Sequence, residues 1–353
     1  MTAGPPPSLI VLARGVERRI GEVLDREETR WSDFDPDLAT PVAEIRRLIG
    51  AGGKRLRPAF CHWGFVGLGG DPSDPRAVDA GAALELLHAF ALFHDDIMDG
   101  ARSRRGEPVT HEVFAAEHRE RGGSGEARRY GEGMAILIGD LTFVISDRLL
   151  DGVSDRARSI WHELRLELNI GQLLDLMGSA RQDRRRDKAE RICRYKSGKY
   201  TIERPLHLGA MIAAPERADV VLDRLSAYGL PLGDAFQMRD DVMGVFGDPS
   251  VTGKPVGDDL REGKPTPLLA IAIERADSAQ RSVLDRVGRE QLSDADVAAA
   301  QSVLVECGAL EEMERIIARL SEEAVAALSR IDLAGESRRE LEALAAYVTQ
   351  RRV

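Results

Sequence analysis

Three cysteines in 353 residues, Cys61, Cys193 and Cys307, are odd in number, far apart and without a CxxC pair. Neither a disulfide framework nor a tetrahedral zinc site is expected, and a reducing, cytoplasmic setting fits. No basic N-terminal segment leads into an apolar run, and no stretch reaches about 18 uninterrupted apolar residues, so secretion and stable membrane insertion are not expected. Basic residues are also in the minority: 49 Lys and Arg face 59 Asp and Glu, for a net charge of −10. That balance argues against nucleic acid or an anionic membrane surface as the main partner. Aromatics make up 5% of the chain and β-branched runs are scarce, while Ala and Leu are abundant, a composition that favours an all-α protein. No linker divides the chain and no repeat of 20–50 residues is present, so a single domain is expected.

What the sequence does have is concentrated chemistry. The segment HAFALFHDDIMDGARSRRG, His88 to Gly106, carries three aspartates and three arginines at the end of an apolar run. Upstream, AGAALELLHAFALF (80–93) has good helix formers and no proline, which predicts a buried helix. If that helix continues, Asp95 and Asp99 stand at i and i+4 on one face, with Asp96 on a neighbouring face. Like charges at this spacing repel, and a compensating cation is the simplest account. Oxygen ligands without a nearby cysteine point to Mg²⁺, which keeps several waters and fills its shell with substrate phosphate. The guanidinium forks of Arg104 and Arg105 suit the remaining phosphate oxygens. A solvated, charged helix end would share this pattern, but a second copy changes the balance: Asp240 and Asp241 lie in FQMRDDVMGVFGD, and GKPVGDDLREGK follows soon after. Two acidic sites with cations close by can clamp one diphosphate.

These motifs resemble, in order, those of the trans-isoprenyl (polyprenyl) diphosphate synthases of geranylgeranyl and farnesyl type: GGKRLRP at 52–58, DDIMD at 95–99, RRG at 104–106, GQLLD at 171–175, FQMRDD at 236–241 and GKPVGDDL at 253–260. The resemblance implies a bundle of mostly antiparallel helices around a central substrate cavity, over residues 39–353, after a tail and accessory helix at 1–38. It implies head-to-tail condensation of isopentenyl diphosphate with an allylic diphosphate, up to three Mg²⁺ ions bound with the diphosphate, and a homodimer. By resemblance the metal ligands are Asp95, Asp96, Asp99, Asp240 and Asp241. Lys54, Arg57, His88 and Arg105 hold isopentenyl diphosphate, while Arg104, Lys196, Ser197, Gln237, Lys254 and Lys264 hold the allylic substrate. His88 also lies seven residues before Asp95, on nearly the same helical face. Phe90 and Ala91, five and four positions before the first aspartate, set product length, and small Ala91 with bulky Phe90 resembles enzymes making geranylgeranyl diphosphate. Farnesyl or longer products, a terpene cyclase and a non-catalytic partner subunit stay open as alternatives.

The chain departs from the family pattern at Gly244, where DDVMG replaces DDxxD, which leaves open a weaker metal site or a specialised subunit. Lys196 and Lys199, three residues apart, would share a helical face, and either is able to meet the diphosphate. His62, His94, His111 and His207 are expected to be structural or supporting. RERGGSGEARRYGEG (119–133) is glycine-rich and charged and is expected to be a mobile loop. The helical segments after Pro267 carry no catalytic cluster and are expected to be scaffold.

Overall fold

The computed structural model describes residues 4–247 and 257–350, and among these every element but one short hairpin is helical. Contacts gather the described residues into two compact units. One comprises Pro7–His62 and Pro72–Ser154; the other comprises Trp63–Asp71 and the chain from Asp155 onward.

In the first unit, α1 (Pro7–Ser32), α2 (Ala39–Gly50), α3 (Leu56–Gly67, as far as His62), α4 (Pro75–Met98), α5 (Thr110–Glu120) and α6 (Ala127–Arg148) follow in chain order. The 3.6-residue spacing of Val16, Ile20, Val23 and Leu24 turns one face of α1 onto Val42 and Ile45 of α2, Leu86, Ala89 and Phe93 of α4, and Ile138 and Ile145 of α6. The accessory helix of the sequence reading is thus part of this core, and each such side chain contributes about 1.5–3 kcal/mol on full burial. Helix α4 starts with Asp74 accepting from the Arg76 amide and with Pro75 at the first helical position. By composition it is the one described helix long and apolar enough to cross a bilayer, but Leu84, Leu86, Leu87 and Phe93 are buried within the protein.

The expected mobile loop is largely helical, because α6 begins at Ala127. Arg128 pairs with Glu132 one turn on, and Gly131 lets α6 press against α5: a Cβ there would lie 2.9 Å from the Ala115 amide nitrogen and nearer still to the His111 carbonyl. Glycine provides close approach here, a use that composition does not distinguish from flexibility.

The second unit contains α7 (Asp155–Arg181), α8 (Arg186–Ile192), an unusual turn-widened segment Cys193–Glu203, α9 (Arg204–Ala213) and α10 (Pro215–Phe246), then helices Asp258–Glu262, Pro267–Arg275, Ser278–Leu284, Asp294–Glu306, Ala309–Leu328 and Gly335–Thr349. Met238, Val242 and Val245 of α10 pack with Leu268, Leu269, Leu304, Met313 and Ile317. The C-terminal helices also grip α10 through polar contacts. Arg239 makes two 2.6 Å hydrogen bonds to Glu314 and a third, 3.0 Å long, to the Thr349 carbonyl. This scaffold therefore fixes the residue just before Asp240.

Candidate active site

Helix α4 delivers the first acidic motif at its C-terminus. Asp99 is the C-cap, Gly100 follows at φ +62°, and two bonds close the end: Gly100 N–H to Ile97 O and Ala101 N–H to Asp96 O. This paired closure needs a left-handed residue after the cap, which is why glycine follows DDIMD. Asp95 and Asp99 remain one turn apart, both half-buried. Asp96 is turned elsewhere. It is buried, and it accepts from Arg104 Nε at 3.0 Å and Nη2 at 2.7 Å. The Asp96 carboxylate, expected as a metal ligand, is engaged by Arg104, which it positions.

Arg104 lies on a two-stranded hairpin, Ser103–Arg104 against Glu107–Pro108. The two central residues, Arg105 and Gly106, have φ +55° and +81°, as a two-residue hairpin turn requires. Burial works against the Arg104 charge, but Asp96, helped by Asp95 and Asp99, raises its pKa above the usual arginine value. Arg105 donates to the Gly52 carbonyl in the GGKRLRP turn. Within that turn the cations divide. Arg55, at φ +49°, is buried and bonded to Glu85 at 2.8 Å, Glu17 at 3.0 Å and the Ile49 carbonyl at 2.8 Å. It is an anchor. Lys54 is exposed and Arg57 half-buried. His88 sits among these groups: burial, with the charges of Arg57, Arg104, Arg105 and Arg55, holds its imidazole neutral and well below the usual range. Arg57 and Arg105, expected with His88 to serve one substrate, thus act on His88 together with Arg104, expected to serve the other.

On the same helix, the Phe90 ring lies 4.7 Å, centroid to centroid, from both His94 and Phe143 of α6. His94 in turn bonds the Ile136 carbonyl at 3.1 Å and lies over Gly139, where a Cβ would meet its Cδ2 at 2.6 Å. Phe90 is thereby held in place beside half-buried Ala91.

In the second unit, Cys193–Glu203 forms a π-helix, with the Arg204 amide reaching back five residues to the Lys199 carbonyl. Such widening is rare and recurs at functional sites. Lys196 and Lys199 both face α7 there, but each meets a different carboxylate. Lys196 bonds Asp175 at 2.5 Å, whereas Lys199 pairs with Glu167 and, at 3.5 Å, with Glu203. Arg204 also holds Glu167, so Lys199 belongs to an internal network, and Lys196 with half-buried Ser197 beside it is the better-placed cation. Gly171 of GQLLD lets α7 touch this segment, since a Cβ there would lie 2.5 Å from Lys196 Cα.

Asp240 is half-buried and Asp241 fully so. Gln237, expected to bind substrate, donates to Asp241 Oδ1 at 2.8 Å, while Asp241 Oδ2 is buried and has no hydrogen-bond partner. Desolvation, together with the charges of Asp259 and Asp240, pushes the Asp241 carboxyl well above the usual range; Gln237 and Lys264 act the other way. A buried carboxylate oxygen left bare beside two further carboxylates fits a divalent cation with hard oxygen ligands. Among the described residues no three His, Cys, Asp or Glu side chains suffice to hold an ion, so its remaining ligands would come from substrate and water. Lys264 pairs with Glu262 at 2.6 Å, and Lys254 lies outside the described residues.

The polyprenyl synthetase family model matches residues 42–304. The chain belongs to the polyprenyl synthetase family. It is 35% identical over 314 residues to geranylfarnesyl diphosphate synthase of Aeropyrum pernix, covering 86% of this chain and 92% of that protein. It is 32% identical over 292 residues to geranylgeranyl diphosphate synthase of Mycobacterium tuberculosis, covering 81% and 77%. The crystal structure of geranylgeranyl pyrophosphate synthase from Corynebacterium glutamicum, complexed with isoprenyl diphosphate and magnesium, superposes with a TM-score of 0.92 at 37% identity over 98% of this chain and 99% of that one.

As a polyprenyl synthetase the chain has the all-α fold expected from its composition. Three contributors escaped the sequence reading. Asp175, the last residue of GQLLD, holds Lys196; Glu85, one charge in an apolar helix, anchors Arg55; Asp259 acts on Asp241. An acidic residue inside an otherwise apolar helix was the available signal for Glu85. Asp175 and Asp259 stand inside GQLLD and GKPVGDDL, but their partnerships join distant segments that no motif names.

Proposed function

We propose that this enzyme condenses isopentenyl diphosphate with an allylic diphosphate head to tail, releases pyrophosphate, and makes geranylgeranyl diphosphate as its main product. The observation that carries the reading is the set of guanidinium groups of Arg57, Arg104 and Arg105 around neutral His88, at the helix that presents Asp95 and Asp99. Such a set suits a diphosphate, and Arg104 stays charged because Asp96 holds it.

In the proposed reaction the allylic carbon–oxygen bond breaks, the double bond of isopentenyl diphosphate attacks the resulting carbocation, and a proton leaves the new chain for the departing pyrophosphate. Asp95, Asp99, Asp240 and Asp241 would hold magnesium together with the diphosphate. Bound there, Mg²⁺ supplies Lewis-acid neutralisation of the charge growing on the leaving group. Lys196, oriented by Asp175, adds a fixed cation with the Ser197 hydroxyl beside it; Lys264 and Lys254 complete the basic complement. Lys54, Arg57, Arg105 and His88 position the second substrate, and positioning of this kind contributes roughly 7–11 kcal/mol to barrier lowering.

We assign the enzyme to the cytoplasm, in keeping with three cysteines that are all free thiols; burial pushes Cys61 up to about 12 and Cys193 well above its usual value, so both are inert. A homodimer is supported by unpartnered apolar stripes on two helices, Leu166, Ile170, Leu173 and Met177 of α7, and Tyr130, Leu137 and Val144 of α6, each at least 40% exposed. Incubating the purified chain with Mg²⁺, isopentenyl diphosphate and farnesyl diphosphate, then dephosphorylating and chromatographing the product, tests the reading. A C20 alcohol is expected, and no pyrophosphate release with any allylic diphosphate would overturn it.

A further inference from the structure

The hairpin that carries Arg104 and Arg105 is too small to hold itself. Its strands are two residues each, paired as Ser103 with Pro108 and Arg104 with Glu107, and Glu107 and Pro108 are both exposed. An isolated two-stranded hairpin is marginal in water, so neighbouring elements must fix this one. At its entry and tip the fixing uses the two arginines themselves, Arg104 on Asp96 and Arg105 on the Gly52 carbonyl. A phosphate that draws either guanidinium competes with those bonds.

The exit is held differently. Glu44 of α2, 6% exposed, accepts from Arg47 Nε at 2.7 Å and Nη2 at 2.6 Å, and from the Thr110 hydroxyl at the start of α5. Arg47 Nη2 also donates to the Pro108 carbonyl at 3.2 Å. One turn of α2 therefore grips the chain at 108 and again at 110, on both sides of Val109, whose amide closes the hairpin on the Arg102 carbonyl. Proline fixes its own φ, which leaves this leg little freedom once its carbonyl is held. The bond to Glu44, followed by the charges of Glu107 and Asp96, raises the Arg47 pKa, so the same guanidinium is also drawn toward the carboxylate that orients Arg104.

We propose that Glu44 and Arg47 are positioning residues for the condensation: they fix the exit of the hairpin, and through it the directions in which Arg104 and Arg105 meet the substrate phosphates. The inference rests on the proposed function, which assigns those two arginines to substrate. Glu44 and Arg47 act through the hairpin, keeping it in place when its arginines exchange bonds to Asp96 or Gly52 for bonds to phosphate.

The test joins amide exchange across residues 102–109, read by mass spectrometry on the substrate-free full chain, to binding of isopentenyl diphosphate measured by calorimetry. Arg47→Met keeps the aliphatic stem and removes both the fork and the carbonyl bond. Exchange should quicken about tenfold, the effect of losing one bond to a charged group, and Kd for isopentenyl diphosphate should rise by about the same factor. With Arg105→Asn already present, Arg47→Met should raise Kd by about twofold at most, because the side chain it steadies is gone. Arg47→Lys keeps a charge beside Glu44 but lacks the fork; it should weaken binding in the same direction, and it carries the test if the methionine variant melts early. A folded Arg47 variant with wild-type Kd would overturn this inference alone, as would a full additive loss in the double variant. Failure of the wild-type chain to bind isopentenyl diphosphate would overturn the proposed function, whereas the exchange measurement reads the hairpin whether or not substrate binds.

Discussion

Replacing Arg105 with asparagine should weaken substrate binding without weakening the fold. Arg105 is the first central residue of the hairpin turn at φ +55°, a region that costs a non-glycine residue about 1–2 kcal/mol and that asparagine tolerates. Against that relief stands the loss of one exposed hydrogen bond to the Gly52 carbonyl, about 0.5–1.5 kcal/mol. Repulsion is also relieved, because burial and then Arg104 and Arg55 depress the Arg105 pKa. The folding terms nearly cancel with a small surplus in favour of the variant, so the melting temperature should stay level or rise by about 1–2 °C. Binding has no such compensation. A charge-assisted contact to phosphate is worth about 1.5–3 kcal/mol, so KM for isopentenyl diphosphate should rise roughly 10- to 150-fold, while kcat at saturating substrate changes little. Steady-state kinetics with the allylic substrate saturating, alongside a thermal melt, reads both quantities. A fall of several degrees with an unchanged KM would refute the argument and make Arg105 a structural residue of the turn.

Phe90→Ala should lengthen the main product by at least one isoprene unit, because it removes the ring held against His94 and Phe143; an unchanged product distribution by chromatography would place the stop elsewhere. Gly171→Ala should cost about 1–3 kcal/mol and reduce activity, since its Cβ meets backbone at Lys196 that cannot yield, whereas Gly178→Ala, with its nearest contacts 3.2 and 3.4 Å away on side chains, should be tolerated; equal urea midpoints for the two would contradict this. Acid should destabilise the fold before ordinary carboxylates titrate. Burial lowers His62 to about 4 and, with Arg204, His207 to about 3, so below the unfolded value near 6.5 the unfolded chain takes up protons that the folded chain refuses. Stability should fall by about 1.4 kcal/mol per pH unit for each histidine between roughly pH 6 and 4.5. His207→Gln should flatten that slope in urea titrations, and an unaltered slope would rule His207 out as a source.

Much of this protein is local in origin and was legible on that account. Helices followed from apolar spacing and from the scarcity of breakers, because backbone preferences act over a few residues. The types of residue that bind a metal–diphosphate complex were also evident, since charge and donor geometry belong to the side chain itself. Which member of each cluster does the binding was not. Arg55 and Arg57 are chemically alike and two residues apart, yet Glu85, thirty residues on, makes one an anchor. Asp96 stands next to Asp95, but Arg104 claims it. Lys196 and Lys199 part company because different carboxylates of α7, Asp175 and Glu167, stand opposite them. Gly244 departs from the motif, and only the fold shows the Asp259 carboxylate, fifteen residues on, lying against it. In every case the deciding partner is remote in sequence, and a buried charge is fixed by whatever opposes it in space; only the tertiary structure supplies that opposition.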